Sequence, residues 1–205
     1  RMSVSPSERR VPTSGVFLLA YSQRNISLEA RLKYNVVGRH LDVCSAILPG
    51  WDIESISLIA GDASESLEFD PPTESRLDIN LPREMRGEFE LRVVASQHFP
   101  EESEFSVVNL PAIEDEQLGP TTLVVMADDD IKLTFDADRS TGVMPGEGAV
   151  SVELPSREYE PQVFEVSEDS TASFAAELKK RPGEVSVFSR ASIDVARASL
   201  AMKQS

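Results

Sequence analysis

Alternation of apolar and polar residues is the dominant pattern along this chain. In the stretch ISLEARLKYNV (Ile26 to Val36) every second residue, starting at Ile26, is apolar or aromatic, and nearly all the residues between them are charged or polar. A period of two places the two sets on opposite faces of a β-strand. Because the apolar face of such a strand needs a second layer, the pattern predicts a sheet with one solvated face.

Similar segments follow at short intervals and predict a succession of strands. The turn formers that separate them include Gly38, Pro49-Gly50 and Gly87. VFLLAYSQ (16–23) could be a first strand or a linker that docks on the sheet. The predicted strands are 26–36, 41–47, 53–60, 66–69, 76–81, 88–95, 105–110, 121–127, 131–135, 149–154, 162–166 and 172–178. This spacing is typical of an all-β protein, a sandwich or an open barrel.

The pattern predicts antiparallel β-sandwich modules in two packed units. Residues 1–23 are expected to form a flexible lead-in, 24–100 the first β-sandwich module, and 101–205 a second β-rich module with a long terminal strand. The acidic segment Pro111–Gly119 is the candidate joint between the units. A chain of this length suits one large or two small domains.

The final segment, Glu184–Lys203, is long for a single strand, and its alternation slips by one position at Val195–Ala196. Such a slip indicates a bulge, or a strand that leaves one sheet for another. Residues 196–205 therefore either complete this fold or begin a next module. A helix over 193–203 is the rival interpretation, because Ala, Leu, Met, Arg and Lys favour it.

Charge excludes some function classes. The 205 residues carry a formal net charge of −15, so their surface repels nucleic acids and anionic membranes. The apolar run VFLLA (16–20) is too short to cross a bilayer. Cys44 is the only cysteine, so no internal disulfide forms, and a packed side chain is favoured over a nucleophile.

One segment resembles a calcium-binding loop. Counted from Asp136, oxygen-bearing side chains fall at positions 1, 3, 5 and 12, which are Asp136, Asp138, Ser140 and Glu147. The glycine, however, falls at position 7 rather than 6, and no helix is predicted before the loop. A strand turn with solvated acids is therefore the favoured alternative, and calcium is the one cofactor that the sequence suggests.

Trp51, which follows a Pro-Gly turn, has two interpretations. An exposed indole could stack on a sugar, or it could pack across the end of the sandwich; with one Trp and three Tyr in the chain, packing is favoured. His40 and His98 lie in predicted loops without metal-ligand spacing, and no G-x-S-x-G elbow or glycine-rich phosphate loop occurs. We therefore expect no catalytic residues and no enzyme activity.

Three segments together resemble a known kind of module: 26–58, 76–96 and 118–136. Their order is similar to β-modules of large, uncharacterised planctomycete-type bacterial envelope proteins, in which a strand with x-A-R-L-x-Y precedes a Pro-Gly-Trp turn. A more distant likeness is to the non-catalytic N-terminal β-domain of gluzincin aminopeptidases, whose catalytic H-E-x-x-H motif is absent from this sequence.

The resemblance implies a function and a location. It implies a non-catalytic structural or protein-interaction module of a larger, multidomain bacterial envelope or surface protein, and therefore an extracellular or cell-envelope location. Its partners would be neighbouring modules or other envelope proteins, without nucleic acid and without membrane insertion by this segment. The alternative is a module that binds carbohydrate or a calcium-dependent ligand.

Overall fold

A computed structural model describes residues 13–70, 75–99, 103–113, 118–146, 154–155, 157–167 and 172–181. Within these residues the chain is all-β, and no helix occurs. The terminal strand predicted over 184–203, most of the strand predicted over 149–154, and residues 1–12 of the predicted lead-in lie outside the described residues.

The described part of the chain contains twelve strands. They are β1 (Thr13–Tyr21), β2 (Asn25–Ile47), β3 (Asp52–Ala60), β4 (Ala63–Leu67), β5 (Arg76–His98), β6 (Phe105–Asn109), β7 (Ala112–Ile113), β8 (Leu118–Ala127), β9 (Ile131–Phe135), β10 (Val143–Pro145), β11 (Gln162–Val166) and β12 (Ser173–Lys180). The predictions for β9 and β11 match these bounds to the residue.

The strands form two sheets, which confirms the predicted fold class. The larger sheet has the order β10-β11-β8-β1-β2-β5-β3-β4, with the short β7 also paired to β2, and the smaller sheet has the order β6-β12-β9. All pairs are antiparallel except β1 and β8, which run parallel. Parallel neighbours need a long crossover connection, and the chain between β1 and β8 provides it.

Strand pairing does not follow the division that the sequence predicted at residues 100 and 101. Strand β8, from the predicted second module, pairs along its length with β1, which lies wholly within the predicted lead-in. The reason lies in the consecutive apolar residues Phe17, Leu18 and Leu19, all less than 9% exposed. A strand that buries both faces is typical of the middle of a sheet.

Two short strands occupy segments that the sequence assigned to turns or to the joint. In β10, Val143 to Pro145 pair with Val166 to Phe164 of β11, and in β7, Ala112 and Ile113 pair with the end of β2. Both are too short to show a period of two, so only tertiary pairing reveals them. Of the predicted joint, residues 114–117 lie outside the described part of the chain.

The turns predicted at Gly38 and Gly87 are wrong, because the chain continues through both positions as strand. Strands β2 and β5 each have 23 residues and pair from one end to the other. Between the pairs Val36↔Gly87 and Leu41↔Met85, four residues of β2 lie opposite one residue of β5. Between the pairs Leu41↔Met85 and Val43↔Asn80, one residue of β2 lies opposite four residues of β5. Extra residues in one strand of a pair form a bulge, which bends the strand. We call the part of this strand pair that contains and follows the bulges, residues 35–47 with 76–88, the β2–β5 ribbon.

One hydrophobic core joins the two sheets. Phe135 and Phe174 come from the smaller sheet and Phe164 from the larger sheet, with ring centroids 4.7 to 5.6 Å apart. Tyr21 of β1 is also buried, and its hydroxyl lies 3.4 Å from Ser106 Oγ of β6. Aromatic pairs at these distances add to the burial of apolar area, so the two sheets form one packed unit at this point.

Candidate functional site

The turn after β9 holds three of the four residues predicted to bind calcium, and two of them, Asp136 and Ser140, have polar partners within the protein. Asp136 Oδ1 accepts a hydrogen bond from the Arg139 amide at 3.2 Å, and its Oδ2 lies 3.6 Å from Arg139 Nε. Ser140 Oγ donates to the Asp136 carbonyl at 2.7 Å and accepts from the Ala175 amide at 2.9 Å. Asp138 is exposed. The Ser140 hydroxyl thus fixes the turn to β12.

The fourth predicted ligand, Glu147, lies outside the described residues. Within the described residues, no three His, Cys, Asp or Glu side chains are grouped so that they could hold a metal ion. The calcium site therefore stays a prediction that depends on a residue without a described position.

Trp51 packs in the core, as the favoured of its two interpretations predicted. Its side chain is 4% exposed, and its Nε1–H donates to the Asn109 carbonyl of β6 at 2.7 Å. The indole face is therefore not available as a platform for a sugar ring. Instead, the hydrogen bond ties the turn before β3 to the edge of the smaller sheet.

The histidines and the cysteine lie on strands. His98 ends β5, where its Nδ1 lies 2.6 Å from Asn25 Oδ1 in an exposed hydrogen bond, so its predicted loop position is corrected. Cys44 is buried on β2, which agrees with a packed side chain. His40 lies within β2 rather than in a loop.

The acidic run Asp128–Asp130 has a structural role that the sequence did not reveal. Asp128 Oδ1 lies 2.9 Å from Arg157 Nη1, and Asp129 Oδ1 accepts from the Glu158 amide at 3.0 Å. Both partners lie almost 30 residues further along the chain. The run thus holds the segment before β11 against the turn between β8 and β9.

A group of three charges lies on the outer face of the larger sheet. Glu29 Oε1 accepts from Arg31 Nε at 2.6 Å, and Glu29 Oε2 accepts from Arg92 Nη2 at 2.7 Å. Burial alone would raise the pKa of the Glu29 carboxyl, but the hydrogen bonds from Arg92 and Arg31 outweigh burial, so this pKa lies below its ordinary value. Since Arg31 and Arg92 are directly opposite each other, Glu29 also screens their mutual repulsion.

A shallow groove of about 280 Å³ lies on the outer face of the smaller sheet, beside the turn after β9. Its floor is a row across three strands, in which Phe105 lies opposite Glu177 and Glu177 opposite Thr134. The carboxylates of Asp136 and Asp138 line the groove together with Glu177. The groove therefore combines an aromatic side chain with negative charge.

Two cations border this groove. The Arg139 guanidinium lies 4.2 Å from the centroid of the Phe105 ring, and Lys179 Nζ lies 2.8 Å from Glu177 Oε1. The hydrogen bond that Lys179 donates to Glu177 raises the pKa of Lys179, so the ammonium group stays charged at neutral pH. Within the described residues, no ion pair engages Asp138, which leaves its carboxylate as the exposed charge of the groove.

No family model matches this chain, and no curated protein matches it. The described residues include no helix of the length and apolar character that crossing a bilayer would require.

Proposed function

We propose that this chain is a non-catalytic structural or protein-interaction module of a larger bacterial envelope or surface protein. The observation that carries the proposal is the place of the exposed apolar side chains. Of the six large exposed hydrophobic side chains among the described residues, Val37 and Val43 lie on β2, and Phe105 and Val107 lie on β6. Exposed apolar side chains on paired strands offer contact points to another protein.

The β2–β5 ribbon holds two of these side chains, Val37 and Val43, in a fixed position. Among the described residues, the partner of β2 on the β1 side beyond Tyr34 is β7, which pairs with Ala46 and Ile47. The inner face of the ribbon is buried, as at Leu41 and Ile79, while Val37 is 59% exposed. A ribbon fixed to the core on one face and apolar in places on the other is suited to contact a neighbouring module. The bacterial and envelope assignment has a different support, the sequence resemblance described above.

Hydrogen exchange in a longer product of the same gene tests this proposal. We expect the amides near Val37 and Val43 to exchange more slowly when neighbouring modules are present than in the isolated chain. The melting temperature should also rise, because a partner that binds only the folded state stabilises it. Equal exchange in both proteins, or turnover of a hydrolase substrate by the purified chain, would contradict the proposal. Glycan-array binding by the isolated chain would favour the carbohydrate alternative.

A further inference from the structure

We propose that the free edge of β6 binds an extended, basic peptide segment as an added strand. This inference rests on the proposed function and names the chemistry of one partner. Strand addition uses main-chain hydrogen bonds for affinity and side-chain sites for specificity. Strand β6 and the groove beside Phe105 provide both.

The hydrogen bonds of β6 show which of its backbone groups face outwards. The Leu178 amide donates to the Glu104 carbonyl, and the Leu110 amide donates to the Ala172 carbonyl, both at 2.8 Å. In an antiparallel ladder the groups that face one neighbour alternate, so the even-numbered residues of β6 bond to β12. The N–H and C=O groups of Phe105 and Val107 therefore point away from β12.

A hydrogen bond at Asn109 confirms that the backbone groups of the odd-numbered residues of β6 point away from β12. The Asn109 carbonyl, also at an odd-numbered position, accepts the hydrogen bond from Trp51 Nε1. The indole thus ends the free edge at Asn109. In the part that remains, Phe105 is 43% and Val107 is 54% exposed, and no strand of the described residues pairs with this edge.

Strand β6 differs from the other edge strands of the described residues. Proteins protect exposed edges with charged side chains or with proline. Strand β10 contains Pro145, β4 contains Glu65 and β9 contains Lys132. Strand β6, with the sequence FSVVN, has neither a charge nor a proline. Of the described edge strands, the two-residue β7 alone shares this lack, so β6 is the one long enough to pair with an added strand.

The charge around β6 favours a basic partner. Glu104 precedes the strand, and Asp138 lines the groove beside Phe105 without an ion pair among the described residues, whereas Asp136 and Glu177 already pair with Arg139 and Lys179. A lysine or arginine of an added strand could contact the Asp138 carboxylate while its backbone pairs with Phe105 and Val107. A second copy of this chain would bring the same net charge of −15 to the edge, which opposes self-pairing.

The probe for the test is a six-residue peptide of alternating lysine and valine, with a matched peptide that has glutamate in place of lysine. We expect the lysine peptide to bind and its affinity to fall as salt rises, whereas the glutamate peptide should not bind. On binding, exchange of the Phe105 and Val107 amides should slow by tenfold or more, while the Ser106 and Val108 amides, already bonded to β12, should change little. This measurement needs no variant.

Substitutions at the edge give the second measurement. V107P removes an outward N–H that β12 does not use, and we expect at least a tenfold loss of affinity for the lysine peptide. V107T is the matched control: it keeps the N–H and should change affinity less than threefold. Asp138→Asn should weaken binding of the lysine peptide and reduce its dependence on salt.

Three results would overturn the inference: equal binding of both peptides, unchanged exchange of the Phe105 and Val107 amides, or wild-type affinity in a folded V107P variant. Concentration-dependent dimers that V107P abolishes would assign the edge to a second copy instead. Slowed exchange at Val37 and Val43 in the longer protein, without binding of the lysine peptide, would reject the β6 inference and leave the proposed function standing.

Discussion

Replacing Glu29 by glutamine tests the energetic role of the three-charge group on the larger sheet. The change keeps the shape of the side chain but removes the charge that Arg31 and Arg92 share. Hydrogen bonds to charged groups contribute about 1.5–3 kcal/mol when they are shielded from water, and exposed ion pairs contribute about 0.2–1 kcal/mol. Because the Glu29 side chain is 20% exposed and that of Arg92 is 41% exposed, an intermediate value applies. We expect E29Q to lower the free energy of unfolding by about 1–2 kcal/mol at pH 7.

The pH dependence of this loss follows from the lowered pKa of Glu29. In the unfolded chain the carboxyl titrates near its ordinary value of about 4.3. A carboxyl whose pKa is lower in the folded protein contributes stability that is fully present above this ordinary value. The contribution is lost as the pH falls through the folded pKa. The difference in stability between the wild type and E29Q should therefore be constant above about pH 5 and disappear at lower pH.

Urea unfolding, followed by circular dichroism at several pH values, measures this difference. For a domain of this size, a loss of 1–2 kcal/mol corresponds to a melting temperature lower by about 2–8 °C. Glu65→Gln, at an exposed position on β4, is the matched control and should change stability by less than about 0.5 kcal/mol. If E29Q behaves like this control, or if the full difference persists at pH 2, the reasoning is refuted.

Four further predictions concern the core and the turn after β9. W51F should lower stability by about 1–3 kcal/mol in urea unfolding, because the Asn109 carbonyl loses its donor; an unchanged midpoint would argue against that bond. F174A should cost about 3–5 kcal/mol in the same assay, because its ring is fully buried, and a loss below 1 kcal/mol would mean that the two sheets do not meet there. Burial raises the pKa of the Tyr21 hydroxyl, so an absorbance titration should find a phenol that ionises well above pH 10, and Y21F should remove that component and no other. Calcium, if it binds, should bind weakly in titration calorimetry at low salt; micromolar affinity that Asp138→Ala abolishes would contradict this.

Local patterns predicted the strand segments in which apolar and polar residues alternate over several positions. The alternation of Ile26 to Val36 predicted the first half of β2, because its apolar set faces the core throughout. Composition favoured burial of Trp51, because one Trp and three Tyr are few for a sugar-binding surface. Its partner, the Asn109 carbonyl, could not be predicted, because 58 residues separate the two.

Glycine was the main source of error. Gly87 has a φ of +79°, a conformation that a tight turn and a bulge both use. The sequence shows that such a residue bends the chain, but only the partner strand shows whether the chain reverses or continues. The parallel pairing of β1 with β8 was beyond prediction for the same reason, because it depends on residues about 100 positions apart. The acids at 128–130 had no signal either, since their partners near Arg157 come from a distant segment.

The two opposed bulges of β2 and β5 allow the ribbon to change direction while the strand pairing and the buried face stay the same on both sides of the bulges. Asn25 lies opposite His98 at one end and Ile47 opposite Arg76 at the other, so the extra residues of each strand cancel over the full length. A deletion in one strand alone would shift every pair beyond it and, if odd in number, would turn the buried side chains outwards. Removal of two residues from each bulge would instead make both bulges smaller and keep the same pairs and the same inner face beyond them. The direction of the ribbon can therefore diverge among descendants of this sequence while its core positions stay unchanged.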